Sequence, residues 1–261
     1  MKRLGLALSS GGPRGVAHVG VLRALVEAGL PIHALAGASV GAQVGGLFAA
    51  GVSLEEIAGL WQDAGWSRIA RSLIPTRPWR GWSSGEEIRR TLRVLVGERR
   101  IEELPVRFAA VATDLQSGAE VVFDRGPLVD AIRASISVPG LFVPAQLDGR
   151  LLIDGGVASP LPVGVARALG AEVVIGVDVL VPPEEKRIEQ PNVFTVLFQM
   201  GTIFQKRLAA LSAEIDPPDV LLVPEFGDPP PTYAAIGNGV EAGYRAAEVA
   251  LPHLQKLLTA P

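Results

Sequence analysis

Short apolar runs alternate with segments of helical spacing along this chain, and this alternation is the strongest constraint on its fold. Leu4–Leu8 is the first such run, and Val16–Ala28 follows it with apolar residues recurring on one helical face. A short run that is apolar throughout is typical of a strand buried on both faces, as in a parallel sheet. We therefore predict an α/β fold with three layers, α/β/α, in which helices cover both faces of a mostly parallel central sheet.

The same alternation continues to the end of the chain. Further strands are predicted at Ile32–Gly37, Val106–Thr113, Glu120–Phe123, Val173–Val179 and Val220–Val223. Further helices are predicted at Val40–Ala50, Val52–Ala64, Glu86–Val96, Pro127–Ser135, Asn192–Ala213 and Ala234–Leu258. We expect most of the apolar start of Asn192–Ala213 to lie in the core. The length of 261 residues suits one domain, which we place at residues 1–261.

Composition excludes several classes of function. The chain has no Cys and only three His (His18, His33 and His253), so a thiolate nucleophile is excluded and neither a metal nor a cofactor is expected. The net charge of −3 argues against a nucleic-acid partner, which needs a basic face. The first apolar run is too short for a signal peptide, and no span of about 20 residues has the pattern of a membrane helix. We expect a cytoplasmic protein.

A G-x-S-x-G motif occupies residues 37–41, with Ser39 at its centre. It follows a predicted strand and precedes a predicted helix, which is the context that a nucleophile elbow needs. The helix N-terminus would favour negative charge that develops beside the serine. The alternative is that Ser39 only caps the helix.

A glycine-rich loop, Ser9–Gly15, follows the first predicted strand. Parallel strands present their carboxyl ends together, so this loop should lie beside Ser39 and turn backbone N–H groups toward it as an oxyanion hole. A nucleotide-phosphate loop fits the sequence poorly, because neither the G-x-G-x-x-G spacing nor a Gly-Lys-Ser/Thr ending is present.

Asp154 is a candidate base for Ser39. It ends the apolar run Leu151–Ile153 and is followed by two glycines. Apolar neighbours would raise the pKa of its carboxyl toward the working range of a general base. The alternative is a turn aspartate that binds its own backbone.

Three motifs in this order together resemble the patatin-like phospholipase family. They are Gly11-Gly12-x-Arg14-Gly15, Gly37-x-Ser39-x-Gly41 and Asp154-Gly155-Gly156. The segments Ala112–Asp114 and Asp130–Val163 resemble the same family, and the resemblance runs from about Leu4 to about Val179.

This resemblance implies a patatin-like fold and a serine lipid acyl hydrolase of phospholipase A, lysophospholipase or esterase type. It implies a Ser–Asp dyad without a catalytic His, with Ser39 as nucleophile and Asp154 as base. The oxyanion loop would be formed by Gly11, Gly12, Arg14 and Gly15. Pro13 departs from a loop of donors because proline has no N–H, so donation is expected from Gly12 or Arg14.

Other functions remain open. A soluble carboxylesterase or thioesterase could use a Ser–His–Asp triad in which His253 follows Ser39 and an aspartate in chain order. A non-catalytic lipid- or nucleotide-binding module could keep the same fold. For His18 and Arg14 we expect structural roles, although Arg14 could also meet a lipid phosphate.

All four Trp lie between residues 61 and 82, among arginines. Such a mixture suits the headgroup region of an anionic membrane. We expect a lid or a peripheral membrane-docking surface there; the alternative is an insert whose tryptophans pack in the core. The residues assigned to this surface are Trp66, Arg77, Trp79, Arg80 and Trp82.

Overall fold

The computed structural model describes residues 1–62, 83–180, 191–228, 230–232 and 236–260. Its strands are β1 (Leu4–Leu8), β2 (Ile32–Ala38), β3 (Arg107–Asp114), β4 (Glu120–Phe123), β5 (Ala145–Leu147), β6 (Arg150–Asp154), β7 (Val173–Val177) and β8 (Val220–Leu222). Its α-helices are α1 (Val16–Glu27), α2 (Val40–Ala49), α3 (Leu54–Gln62), α4 (Glu86–Val96), α5 (Leu128–Ser135), α6 (Val163–Ala168), α7 (Val193–Ile215) and α8 (Gly239–Thr259). Short 3₁₀ helices span Gly12–Gly15, Ile101–Glu103 and Gly155–Val157.

The described strands form one mixed sheet in the order β5-β6-β3-β2-β1-β7-β8, and β4 also pairs with β3. The pairs within β3-β2-β1-β7-β8 are all parallel, which confirms the predicted mostly parallel sheet. The pairs that involve β4, β5 and β6 are antiparallel. β5 and β6 are joined through Asp148 and Gly149, whose positive φ values of 50° and 75° suit a tight hairpin turn.

Alternate residues of β1 and β2 enter two separate cores, one on each face of the sheet. Leu6 and Leu35 pack with residues of α1, α2 and α8 on one face. Ala7 and Ala36 pack with residues of α6 on the other face. Because helices cover both faces, the predicted three-layer arrangement is confirmed.

Two glycines allow the last helix to pack closely on the first. A Cβ atom on Gly20 of α1 would lie 1.9 Å from the carbonyl oxygen of Val240. A Cβ atom on Gly243 of α8 would lie 1.9 Å from the carbonyl oxygen of Ala17. Backbone-to-backbone contact of this kind admits no side chain at either position, so α8 is held against α1.

The prediction that most of the apolar start of α7 lies in the core is wrong. Val193, Leu197 and Phe204 are 71%, 52% and 63% exposed, whereas Ala209 is buried. The alanine-lined face of the sheet is already covered by α6, so a helix of 23 residues carries more apolar surface than that face can bury. None of the described helices is long and apolar enough to span a membrane.

Candidate active site

Ser39 stands at a strained turn between β2 and α2. Its φ and ψ are 53° and −122°, a backbone conformation that residues other than glycine rarely adopt. A Cβ on Gly37 would lie 2.4 Å from the backbone nitrogen of Ala42, and a Cβ on Gly41 would lie 2.2 Å from the carbonyl oxygen of Leu8. The motif therefore needs both glycines because backbone passes close on each side of the serine.

Asp154 reaches Ser39 through the register of three strands. Ala38 pairs with Val111 of β3, and Asp154 pairs with the next residue of β3, Ala112. β4 occupies the opposite edge of β3, so β6 lies on the same edge as β2 and approaches the end of β2 from the opposite direction. This end-to-end arrangement brings Asp154 to the residue that follows Ala38.

The two side chains share a short hydrogen bond. Ser39 Oγ donates to Asp154 Oδ2 at 2.6 Å, and the backbone N–H of Gly156 donates to Asp154 Oδ1 at 2.8 Å. Ser39 and Asp154 are both buried, at 7% and 2% exposure. Burial raises the pKa of Asp154 to about 6, against the opposing effect of the two hydrogen bonds. The carboxylate can therefore take up a proton close to neutral pH.

The glycine-rich loop lies beside Ser39, where parallel strand order predicts it. Gly11 and Gly12 have positive φ values of 151° and 57°. A Cβ on Gly15 would lie 2.2 Å from the side chain of Val40, the first residue of α2. The loop and the Ser39 turn are thus in direct contact.

The backbone N–H of Ser39 is already engaged. It donates to the hydroxyl of Ser135 at 2.9 Å, and Ser135 is fully buried at the end of α5. It is therefore not directed at a substrate, and the amides of the glycine-rich loop become the candidate oxyanion donors. Ser135 belongs to the segment that resembles the family, but no sequence signal pointed to this bond.

Arg14 and His18 have structural surroundings. The guanidinium of Arg14 is buried and lies 4.9 Å from the ring centroid of Phe226. His18 is fully buried, and its Nε2 lies 3.0 Å from the carbonyl oxygen of Ser9, which makes it the donor. Burial lowers the pKa of His18 to about 4, so the ring is neutral. Its hydrogen bond to Ser9 supports the start of the glycine-rich loop.

No histidine of the described chain hydrogen-bonds to Ser39 or Asp154. His253 is exposed on α8, the helix that packs against α1. The order of residues that suggested a triad therefore does not correspond to an assembled triad here.

A polar contribution from α7 to the site was not predicted. Gln205 Oε1 lies 3.5 Å from the hydroxyl of Ser10 in the glycine-rich loop. A Cβ on Gly156, two residues after Asp154, would lie 2.6 Å from Ser10 Oγ and 2.7 Å from Gln205 Nε2. Next to it, Lys206 Nζ binds Asp178 Oδ2 at 2.6 Å. A polar side of α7 thus borders the site, although its sequence is mainly apolar.

Trp66, Arg77, Trp79, Arg80 and Trp82 lie outside the described residues, so the lid or membrane-docking surface stays a prediction. Among the residues that are described, no group of three or more His, Asp or Glu side chains could hold a metal ion.

Comparison with known proteins places these features in one family. The family model described as patatin-like phospholipase matches residues 6–167, a range that contains the loop, Ser39 and Asp154. An uncharacterized NTE family protein of Mycobacterium tuberculosis is 47% identical over 175 residues, which are 67% of this chain and 48% of that protein. Patatin-like phospholipase domain-containing protein 7 of Rattus norvegicus is 39% identical over 181 residues, covering 67% of this chain and 13% of that protein.

Lysophospholipase NTE1 of Saccharomyces cerevisiae is 36% identical over 179 residues, covering 67% of this chain and 11% of that protein. The matched part of the chain thus spans about half or less of the length of these relatives. Among solved structures, VipD from Legionella pneumophila superposes with a TM-score of 0.56 at 16% identity, covering 97% of this chain and 67% of that one. This likeness concerns the fold.

Proposed function

We propose that this chain, which belongs to the patatin-like phospholipase family, hydrolyses acyl esters of lipids with Ser39 as nucleophile and Asp154 as general base. The observation that carries the proposal is the 2.6 Å bond from Ser39 Oγ to Asp154 Oδ2 in a buried site. A serine hydroxyl bound to a buried carboxylate is a nucleophile with its proton acceptor already in place. We also propose that residues 1–261 act as one domain.

The reaction has two halves. Ser39 Oγ attacks the ester carbonyl and its proton passes to Asp154. The tetrahedral intermediate collapses, the C–O bond to the alcohol breaks, and the proton on Asp154 goes to the leaving oxygen. Water then attacks the acyl-enzyme, gives a proton to Asp154 and releases the fatty acid, and the proton returns to Ser39. Atoms and charge balance over the cycle without a metal or a cofactor.

The oxyanion of each tetrahedral intermediate needs hydrogen-bond donors. Ser39 N–H is bound to Ser135, and Pro13 has no N–H, so we assign donation to the loop amides of Gly11, Gly12, Arg14 and Gly15. The amino end of α2 begins at Val40 and adds partial positive charge at the same place.

The raised pKa of Asp154 supports its role as a base. At a pKa of about 6 the group is mostly ionised at neutral pH, yet it is far more basic than an exposed aspartate. A histidine is then not required between serine and carboxylate.

For the substrate class, the names of relatives offer a starting point. The Saccharomyces cerevisiae relative is named a lysophospholipase, so we propose lysophospholipids as the first lipid substrates to assay.

We also propose that the 61–82 segment meets an anionic membrane surface. The protein would then be cytoplasmic with peripheral membrane contact.

Hydrolysis of p-nitrophenyl esters of increasing acyl length tests the proposal. Wild type should be active, Ser39→Ala and Asp154→Asn should lose activity, and His253→Ala should match wild type. Loss of activity in His253→Ala would favour the triad esterase instead. If the wild type hydrolyses neither p-nitrophenyl esters nor lysophospholipid micelles, a binding module is favoured and the enzyme proposal is contradicted.

A further inference from the structure

A short segment at the end of α5 touches both members of the Ser39–Asp154 pair. The backbone N–H of Ser39 donates to Ser135 Oγ at 2.9 Å. The backbone N–H of Asp154 donates to the carbonyl oxygen of Ser137 at 3.0 Å. Ser135 and Ser137 are both fully buried. With the bond between Ser39 and Asp154, these contacts close a ring in which two neighbouring serines hold the two reacting residues at a set separation.

Arg133 holds this segment in place from within the protein. Its Nη1 donates to Ser137 Oγ at 2.5 Å, and that hydroxyl donates back to the carbonyl oxygen of Arg133 at 2.9 Å. Its Nη2 donates to the carbonyl oxygens of Ser84 and Val143, both at 2.9 Å. The guanidinium also lies 5.4 Å from the ring centroid of Phe142. These contacts tie the end of α5 to two other stretches of chain.

The charge of Arg133 persists in this position. The side chain is almost completely buried, and burial lowers its pKa to about 10, which still leaves it protonated at neutral pH. A buried cation that donates to several neutral oxygens is costly unless its bonds are all made, so it favours one arrangement of the segment.

Ser39 depends on such support because its backbone is strained. A non-glycine residue at a φ of 53° keeps that conformation only when its surroundings impose it. Its carbonyl oxygen accepts the N–H of Gln43 at 3.1 Å, and its own N–H goes to Ser135. Ser135 thus supplies one of the two backbone restraints on the nucleophile.

We infer that Ser135 is a positioning residue, supported by Ser137 and Arg133, which holds Ser39 Oγ on the Asp154 carboxylate. Neither serine contacts substrate in this scheme; they act through the backbones of Ser39 and Asp154. The inference rests on the proposed function, because it assigns a role in the reaction of that dyad.

The pH dependence of the reaction shows whether Ser135 positions Ser39 or only stabilises the folded protein. The hydrogen bond from Ser39 lowers the pKa of Asp154 below the value that burial alone would impose. If Ser39 moves away, that pKa rises. Because the ionised carboxylate is the base, the pH at which the rate reaches half its maximum must then rise as well.

The test uses a fluorophosphonate probe, which reports on the nucleophile without needing the natural substrate. Ser39 Oγ attacks phosphorus, fluoride leaves and the proton passes to Asp154. Ser135→Ala should react with the probe about tenfold more slowly than wild type, or slower still. The pH at which its labelling rate is half-maximal should be higher than that of wild type. The matched control is Ser53→Ala, which also removes a hydroxyl that accepts a backbone N–H, at the start of α3 beyond the far end of α2.

Each outcome bears on the inference. The inference is supported if Ser135→Ala reacts more slowly with a raised half-maximal pH, while Ser53→Ala keeps the wild-type rate and half-maximal pH. A wild-type rate, or a slower rate with an unchanged pH profile, overturns it while leaving the proposed function intact. Absence of labelling in the wild type, with Ser39 intact, overturns the proposed function and the positioning role together.

A second variant keeps the test decisive if Ser135→Ala does not fold. Ser137→Ala retains the carbonyl that binds Asp154 but loses the hydroxyl bound by Arg133. Its rate of reaction with the probe should fall by about threefold, and its half-maximal pH should rise less than that of Ser135→Ala. A wild-type rate and pH profile in this folded variant would overturn the inference.

Discussion

Gly15 packs directly against Val40, so that a Cβ atom on Gly15 would lie 2.2 Å from Cγ2 of Val40. This contact joins the glycine-rich loop after β1 to the first residue of the helix after Ser39. The loop and Ser39 are therefore placed by one another, as the proposed oxyanion hole requires.

Gly15→Ala should disable the site mainly through this contact. The φ of Gly15 is −58°, which alanine adopts readily, so the only obstacle is steric. Displacement of the loop should lower kcat by about tenfold to a hundredfold, because misplacement by about 1 Å has this effect on catalysis. Ester hydrolysis measures it, with Gly59→Ala as control because a Cβ there meets nothing within 4 Å. Equal activity of the two variants would contradict the prediction.

The rate should rise as Asp154 loses its proton. Because its pKa is raised to about 6, kcat/KM should fall below about pH 6 as the base becomes protonated. A series of rates between pH 4 and 9 measures the profile, and His253→Ala should leave it unchanged. A half-maximal rate near pH 4 would contradict the raised pKa of Asp154 as the base.

Asp154→Asn should stabilise the protein at pH 8 relative to wild type. A carboxyl with a higher pKa in the folded protein than in the unfolded chain loses stability as pH rises from about 4 to about 6. With about 1.4 kcal/mol for each pKa unit, the ionised group costs about 3 kcal/mol above pH 6. The amide avoids that cost at every pH.

Thermal unfolding of both proteins across pH checks this. The difference in Tm should be largest at pH 8 and should shrink toward pH 4. A difference that does not depend on pH would mean that the carboxyl titrates normally in the folded protein.

Ser39→Gly should be more stable than Ser39→Ala, although both remove the proposed nucleophile. Glycine adopts the φ of 53° and ψ of −122° without strain, whereas alanine keeps the Cβ that makes this conformation unfavourable. The expected difference is about 1 kcal/mol in the free energy of unfolding. Urea denaturation measures it, and equal stability of the two variants would show that the turn stores no strain.

The 61–82 segment should govern binding to anionic vesicles. Trp79→Ala combined with Trp82→Ala removes two aromatic side chains suited to the headgroup region. Co-sedimentation with vesicles that contain phosphatidylserine should fall, and hydrolysis of a soluble short-chain ester should not. Unchanged vesicle binding would contradict a membrane-docking role and favour an ordinary insert.

Much of the fold could be predicted because its signals are local. The buried strand Leu4–Leu8 has the bounds predicted from its apolar run. The antiparallel β5–β6 pair was not predicted, because its shortest strand has three residues and the pairing depends on partners elsewhere in the chain. The exposure of Phe204 was not predicted either, since an apolar helix does not indicate whether a sheet face remains for it to cover.

The candidate site shows the same division. The positions of Ser39 and Asp154 came from motifs, and their roles stay predictions. The bond from Ser39 N–H to Ser135 could not be predicted, because serines are common and nothing in their spacing reports a contact across 96 residues of sequence.

The sequence by itself determined the strand–turn–helix at Ser39, since Gly37 and Gly41 are needed wherever backbone passes this close to the turn. Only the tertiary structure decided which carboxylate meets the serine. Ser39 and Asp154 are 115 residues apart in sequence. They meet because β6 pairs with the same edge of β3 as β2 does, just beyond the end of β2. Glycine conformations and apolar runs act over a few residues, whereas strand register is set by the packing of the whole sheet.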